Sequence, residues 1–289
     1  MPEDGAIMAE QGPQVEAWTP FVLMAAPNGA KRGKADHPAL PVTAAEVARE
    51  AAACHAAGAS LLHLHVRDAD GRHLLDAEAY RQASALVRKE VGDGLIVQVT
   101  TEAVGIYAPE QQMALLRELK PEAATVAVKE LVPDSSYENR AAGFFAEMLR
   151  ERVMLQYIVY SAEDLARLRD LRGRGVVPGD RVSVLFVLGR YTRGQVSYPS
   201  DLLPFLADPI RVGETWSMCA FGPREGACAL TAAALGGHAR VGFENNMQLA
   251  DGSIAADNAA LVAQVAAGLA ALGRPLADAD AARAAFAVA

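Results

Sequence analysis

The stretch SLLHLHVRDADG, residues 60–71, decides how this chain is read. Its first seven residues read as a strand, with His63 and His65 one residue apart in the apolar run that follows Ser60. Side chains alternate across a strand, so the two histidines share one face while Leu62, Leu64 and Val66 share the other. Such a strand needs an apolar layer on one side and an enclosed polar interior on the other. The rest of the sequence supplies that setting. Seven more short apolar runs occur at 21–26, 94–100, 123–128, 153–160, 181–188, 212–220 and 239–243. Segments with helical spacing lie between them. The first, 43–58, opens on Thr43 and Glu46, a capping-box pair, and closes on Gly58, suited to a helix C-terminus. SYPSDLLPFLA, 197–207, is broken by prolines and is the weakest helix. Eight strand–helix repeats in 289 residues predict an α/β fold, a closed (β/α)8 TIM barrel forming a single domain over 19–289. A loose arm is expected over residues 1–18.

Composition narrows the function. The chain is 52% hydrophobic and carries a net charge of −8, with no basic patch, which argues against nucleic acid as a partner. Cys54, Cys219 and Cys228 form neither a CxxC nor an even set, so no disulfide framework is expected. The acidic N-terminus has no apolar stretch of a signal peptide, and no apolar run reaches membrane-spanning length. A reducing cytoplasm is the simplest compartment, with no membrane partner.

In a barrel the leucines of 60–66 face helices and the histidines point into the lumen. They lie near the C-terminal end of the second strand, the end where barrel active sites form. Two imidazoles at this spacing can chelate one metal, and a catalytic site needs a third protein donor. The other histidines do not supply it. His55 is within a helix, His238 starts the last strand at the opposite end of the barrel, and His73 follows the DADG turn on the surface. His37, in a loop before Pro38, is a candidate substrate contact. ARVGFENN, 239–246, places Glu244 at the C-terminal end of the last strand, which closure returns to the top of the barrel. Glu244 is therefore the candidate third ligand beside His63 and His65.

The segments MAAPNGAKRGKADHPALPVT, AGASLLHLHVRDADGRHLLDAEAY, VQVTT and GGHARVGFENNMQLADGSIAADNAALV, in that order, resemble the β-keto acid cleavage enzymes, also called 3-keto-5-aminohexanoate cleavage enzymes. The likeness runs from about Phe21 to Phe286. It implies a (β/α)8 barrel, one divalent metal (usually Zn2+), acetyl-CoA as co-substrate and a homotetramer. The implied reaction converts a β-keto acid and acetyl-CoA into acetoacetate and a new acyl-CoA by Claisen and retro-Claisen chemistry. His63, His65 and Glu244 match the family's metal ligands, and Arg240 its active-site arginine. Thr100, Thr101 and Thr125 match substrate-contact positions. In the loop after the first strand, PNGAKRGK, Asn28 is carried over as a substrate contact. Lys31 stands where the family reaches the distal end of the substrate, and with Arg32 it would favour an anionic tail.

Two departures bear on catalysis. The family commonly reads Glu-Asp-Asn after the last strand, the aspartate pairing with the arginine to remove the α-proton. Here Asn245 holds that catalytic position, and an amide does not accept a proton at working pH. The fifth strand offers Gln156 where the family often has an inward glutamate. Another acid would then have to serve, with Asp68 as one candidate. Alternatives are another metal-assisted carbon–carbon lyase or aldolase, or a metal-binding homologue without Claisen activity. An amidohydrolase would need the histidine pair on strand one and further inner histidines.

Overall fold

The computed structural model describes residues 17–286. Residues 1–16 of the expected arm lie outside the described residues. The strands are β1 (Leu23–Ala25), β2 (Leu61–Leu64), β3 (Val66–Arg67), β4 (His73–Leu74), β5 (Ile96–Thr100), β6 (Ala123–Ala127), β7 (Met154–Val159), β8 (Val182–Leu188), β9 (Glu214–Ala220) and β10 (His238–Val241). The helices are α1 (Ala44–Ala56), α2 (Ala77–Val91), α3 (Pro109–Leu119), α4 (Val128–Leu131), α5 (Glu138–Arg150), α6 (Ala162–Gly173), α7 (Leu203–Leu206), α8 (Glu225–Ala234), α9 (Asn258–Leu272) and α10 (Ala279–Phe286). Eight parallel strands close in the order β1-β2-β5-β6-β7-β8-β9-β10, with β10 returning to β1. The predicted barrel is the observed fold. No helix among the described residues is long and apolar enough to cross a membrane.

Strand alternation sorts the residues as the leucine–histidine pattern demands. Leu62, Leu64 and Val66 pack in one apolar layer with Val47 and Ala51 of α1 and Tyr80, Ala83 and Val87 of α2. Inside the barrel the chemistry changes with height. At the N-terminal end, Val22, Met24, Leu61, Ile96, Ala123 and Met154 form an apolar floor, closed from below by Ala282 and Phe286 of α10. Above it runs a buried polar belt containing His63, Gln98, Gln156, Ser183, Ser217 and Arg240. Leu185, Val187, Cys219 and Phe221 make an apolar wall on the β8–β9 side.

Local signals formed where expected. Thr43 caps α1, its hydroxyl accepting from the Glu46 amide while the Glu46 carboxylate accepts from the Thr43 amide. The proline-broken segment yields one 3-10 turn, Pro199–Leu202, running into the four-residue α7.

Two details differ from the sequence reading. The run 60–66 is interrupted after Leu64, and Val66–Arg67 pairs antiparallel with His73–Leu74 across the DADG turn. The hairpin folds His73 inward, so it is buried rather than on the surface. The last strand ends at Val241, where Gly242 adopts φ +141° and a Cβ would meet the Ala26 carbonyl. Glu244 therefore sits on a turn, its amide donating to the Ala26 oxygen at 3.1 Å, and not on an extended strand.

Candidate active site

The site is built where β2 and the turn after β10 face each other across β1. His63 Nε2 and His65 Nε2 are 3.2 Å apart, and Glu244 Oε2 lies 3.7 and 3.5 Å from them. His63 and His65 are each 1% exposed, and the Glu244 side chain 13%. Three lone-pair atoms this close in a buried place repel unless something electropositive sits between them. Glu244 Oε2 has no hydrogen-bond partner among the described residues. Donors about 2.0–2.2 Å from a tetrahedral metal are separated by roughly 3.4 Å. The observed triangle fits one face of such a tetrahedron and leaves the fourth corner open to the cleft. Among the described residues these three are the one group of His, Cys, Asp and Glu close enough together to hold an ion.

His63 and Glu244 are each suited to that role. Burial, helped by the Arg240 charge, holds the His63 imidazole well below its usual range, so it is neutral. Which nitrogen carries its proton is settled by a chain of hydrogen bonds. The Ser217 hydroxyl donates to the Val184 carbonyl, and its oxygen accepts from Gln156 Nε2 at 3.0 Å. Gln156 Oε1 then accepts from Gln98 Nε2, and Gln98 Oε1 faces His63 Nδ1 at 3.0 Å. The proton is thereby assigned to Nδ1, and the Nε2 lone pair points at the triangle.

Burial by itself would raise the Glu244 carboxyl. The Arg240 guanidinium, at 3.0 Å from Oε1 and backed by the two imidazoles, outweighs it and holds the group well below the usual carboxylate range. Arg240 also reaches Cys219 Sγ at 3.4 Å, whose thiol burial pushes up to about 11.

The turn carrying Glu244 is gripped from several sides. Arg32 Nη1 donates to the Phe243 carbonyl at 2.6 Å and Nη2 to the Asn245 carbonyl at 3.5 Å. Glu225 accepts from the Gly242 amide at 3.1 Å and from the Asn246 side chain, and Asn258 accepts from the Phe243 amide at 2.7 Å. The Arg67 guanidinium braces the β1 loop through the carbonyls of Asn28, Gly29 and Arg32. Gly29, with φ +61°, lets that loop lie against the ligand, since a Cβ would be 2.5 Å from Glu244 Cγ.

Above the triangle a cleft opens in two lobes. One is lined by His63, His65, Thr100, Arg240 and Glu244, with Ile158, Tyr160 and Val187 opposite. The other lies over the β1 loop, lined by Asn28, Lys31, Arg32 and Gln195. Glu102, Arg190, Phe221 and Glu244 line both.

The sequence-chosen residues thus divide. His63, His65, Glu244, Arg240 and Thr100 line the first lobe, and Asn28 and Lys31 the second. Asn28 is held by donating to the His65 carbonyl at 3.1 Å. Arg32 reaches the second lobe, but its guanidinium is committed to two backbone carbonyls. Other expected contacts do not reach the cleft lining. Thr101 donates its hydroxyl to the Thr125 carbonyl, and the Thr125 hydroxyl is buried below. His37 uses Nε2 on the Ala255 carbonyl and Nδ1 on the Ala39 amide while its ring packs on Phe243, so it shapes a loop. Asn245 is fully buried, and neither amide atom has a partner among the described residues. Asp68 caps the amides of Asp70 and Arg72 and pairs with the Arg72 side chain, outside the cleft lining, so it does not replace the missing acid there. Glu102, Arg190, Gln98 and Glu225 were not singled out from sequence. Of these, Glu102 carried a signal, being an acid directly beyond the Thr100–Thr101 pair at a strand end.

Comparison with known proteins places these observations in a lineage. A family model described as beta-keto acid cleavage enzyme matches residues 20–288. A 3-keto-5-aminohexanoate cleavage enzyme of Fusobacterium nucleatum is 32% identical, covering 91% of this chain and 96% of its own. A 3-oxoadipate:acetyl-CoA acetyltransferase of Cupriavidus necator is 28% identical, covering 92% and 94%. Among solved structures, apo ObcA superposes with a TM-score of 0.70 at 18% identity, a likeness of fold, covering 86% of this chain. The chain spans 65% of that protein's length.

Proposed function

The chain belongs to the beta-keto acid cleavage enzyme family, and from that premise we propose that it converts a β-keto acid and acetyl-CoA into acetoacetate and a new acyl-CoA. The observation that carries this reading is the three-donor triangle at the mouth of the barrel, with one corner open to a cleft for a small acid. His63, His65 and Glu244 would hold one divalent ion, zinc first among the candidates given two imidazoles and a carboxylate. When bound, the ion supplies Lewis-acid stabilisation of the negative charge that develops on the keto oxygen.

The protein's own residues do the rest. Arg240 keeps Glu244 ionised and aimed, and its fixed charge adds to the field where enolate charge grows. The Gln98–Gln156 chain holds His63 in the tautomer that presents a lone pair. Ile158, Val187 and Phe221 line the opposite side and keep water away from a carbanionic carbon. The two lobes share Glu102, Arg190, Phe221 and Glu244, so the keto acid and the acetyl end of the thioester would meet where they join, with the coenzyme's nucleotide toward the cleft mouth. A cytoplasmic homotetramer is part of the same proposal.

The test incubates metal-loaded enzyme with acetyl-CoA and a panel of β-keto acids and follows acetoacetate. Acetyl-CoA-dependent acetoacetate is expected from at least one member. Its absence across the panel would overturn the reading. In parallel, elemental analysis of His63→Ala/His65→Ala protein should show loss of the ion. Wild-type occupancy there would refute the ligand set.

A further inference from the structure

We propose that Glu102 is the general base that removes the substrate α-proton in this chain. The inference rests on the reaction proposed above and names its proton acceptor. An enolate cannot form at neutral pH without a base placed against the α-carbon. Asn245, where the family resemblance expects an aspartate, offers an amide that does not take up a proton. It is also buried away from the cleft lining.

The other ionisable groups that line the first lobe are already engaged. His63, His65 and Glu244 form the donor triangle. Arg240 is a cation bound to Glu244. The Tyr160 phenol is pushed up by burial and keeps its proton. Among the described residues lining the two lobes, Glu102 is the one carboxylate outside the triangle.

Its setting suits a base. It follows β5, the barrel neighbour of β2, which carries His63 and leads directly into His65. Its backbone is fixed at both ends, the amide donating to Thr100 Oγ1 at 3.1 Å and the carbonyl accepting from His73 Nε2 at 2.9 Å. Arg190 donates to its Oε1 at 2.9 Å, and the Arg190 guanidinium stacks on Phe221. Oε2 takes no hydrogen bond among the described residues and is free to accept. The carboxylate side chain is 19% exposed, which is open enough to meet a substrate and sheltered enough to be oriented. A cation beside an acid is the arrangement that the resemblance placed at 240 and 245. Here a pair of the same kind stands at 190 and 102, on loops that follow β8 and β5.

The chemistry balances without an added reagent. The Cα–H bond breaks, its proton passes to Glu102 Oε2, and the electron pair becomes the enolate, its charge on the keto oxygen. The enolate carbon bonds to the acetyl carbonyl carbon as the CoA thiolate leaves. The thiolate adds to the former keto carbon, and the bond from that carbon to the old α-carbon breaks. The departing acetoacetate carbanion recovers the proton from Glu102.

A plainer role would be an ion pair that only joins two loops. The half-reaction separates the two. Metal-loaded enzyme is placed in D2O with a β-keto acid accepted in the acetoacetate assay, without acetyl-CoA. The α-proton signal is followed by NMR above the uncatalysed exchange. Wild type is expected to exchange. Glu102→Gln is expected to slow exchange about a hundredfold or more, with metal content and keto-acid Kd near wild type. Glu102→Asp, which keeps an acid one methylene shorter, should retain part of the rate. Arg190→Gln breaks the same ion pair but leaves the base, so it should exchange well above Glu102→Gln. Folded, metal-loaded Glu102→Gln exchanging at the wild-type rate, or Arg190→Gln failing equally, overturns the proposal while leaving the family reaction standing. Wild type that neither exchanges nor forms acetoacetate from any acid overturns the reaction and this inference with it.

Discussion

Gln156 uses both ends of its amide inside the barrel: Nε2 on Ser183 and Ser217, Oε1 on Gln98. From sequence it reads as an acid lost from the fifth strand. In the fold it is the relay that tells His63 which nitrogen to protonate. Nothing local could reveal this, because its partners are 27, 58 and 61 residues away. The histidine pair was legible because alternation is a local rule. His73 was misread because a two-residue hairpin, invisible to periodicity, turned it inward. Replacing Gln98 by Leu removes the acceptor at His63 Nδ1 and frees the ring to take the other tautomer. Metal affinity should fall roughly 10–100-fold with the barrel intact, as read by chelator competition and by far-UV circular dichroism. Unchanged affinity would show that the ring is held by packing alone.

The turn 242–246 shows the same division at the level of elements. Alternation along an extended strand would put 240, 242 and 244 on one face, and Arg240 does meet Glu244. It does so for another reason, since the strand stops at Val241 and a glycine turn brings the carboxylate back. What fixes the turn is Arg32, which the sequence offered as a partner for a substrate tail. Its charge-assisted bonds to the Phe243 and Asn245 carbonyls hold the backbone on either side of Glu244. Arg32→Met keeps the stem and removes those bonds. It should cost about 1–2 kcal/mol in urea unfolding, toward the low end because the group is only partly buried, and weaken metal binding. Stability lost with metal affinity unchanged would show that the turn does not govern the ligand. Elements marked by short-range signals, such as the Thr43 cap and the proline-broken α7, were legible; a turn set by an arginine more than 200 residues away was not.

At the scale of the molecule, a chain of net charge −8 keeps cations around its cleft: Lys31, Arg32, Arg190 and Arg240. Both proposed substrates are anions, so the local field opposes the global one and draws them to the mouth. Lys31, in the second lobe, makes no hydrogen bond among the described residues, and we propose that it reads the substrate's far end. A β-keto diacid should have the higher kcat/KM over a β-keto acid ending in an amine. Lys31→Glu should move that ratio roughly fivefold or more toward the amine, a modest figure because the side chain is exposed. A ratio left in place by the charge reversal would assign tail recognition elsewhere. The ring itself has one more consequence. Its seam joins β1 to β10, pairing Leu23 with Ala239. The residues of the triangle straddle that seam, His63 on β2, His65 directly after it and Glu244 beyond β10. A polypeptide ending anywhere from residue 65 to residue 243 holds the two imidazoles and lacks the carboxylate. On the proposed ligand set, full three-donor affinity for an ion would therefore be a certificate that the chain has come full circle, available to no fragment from the N-terminal side.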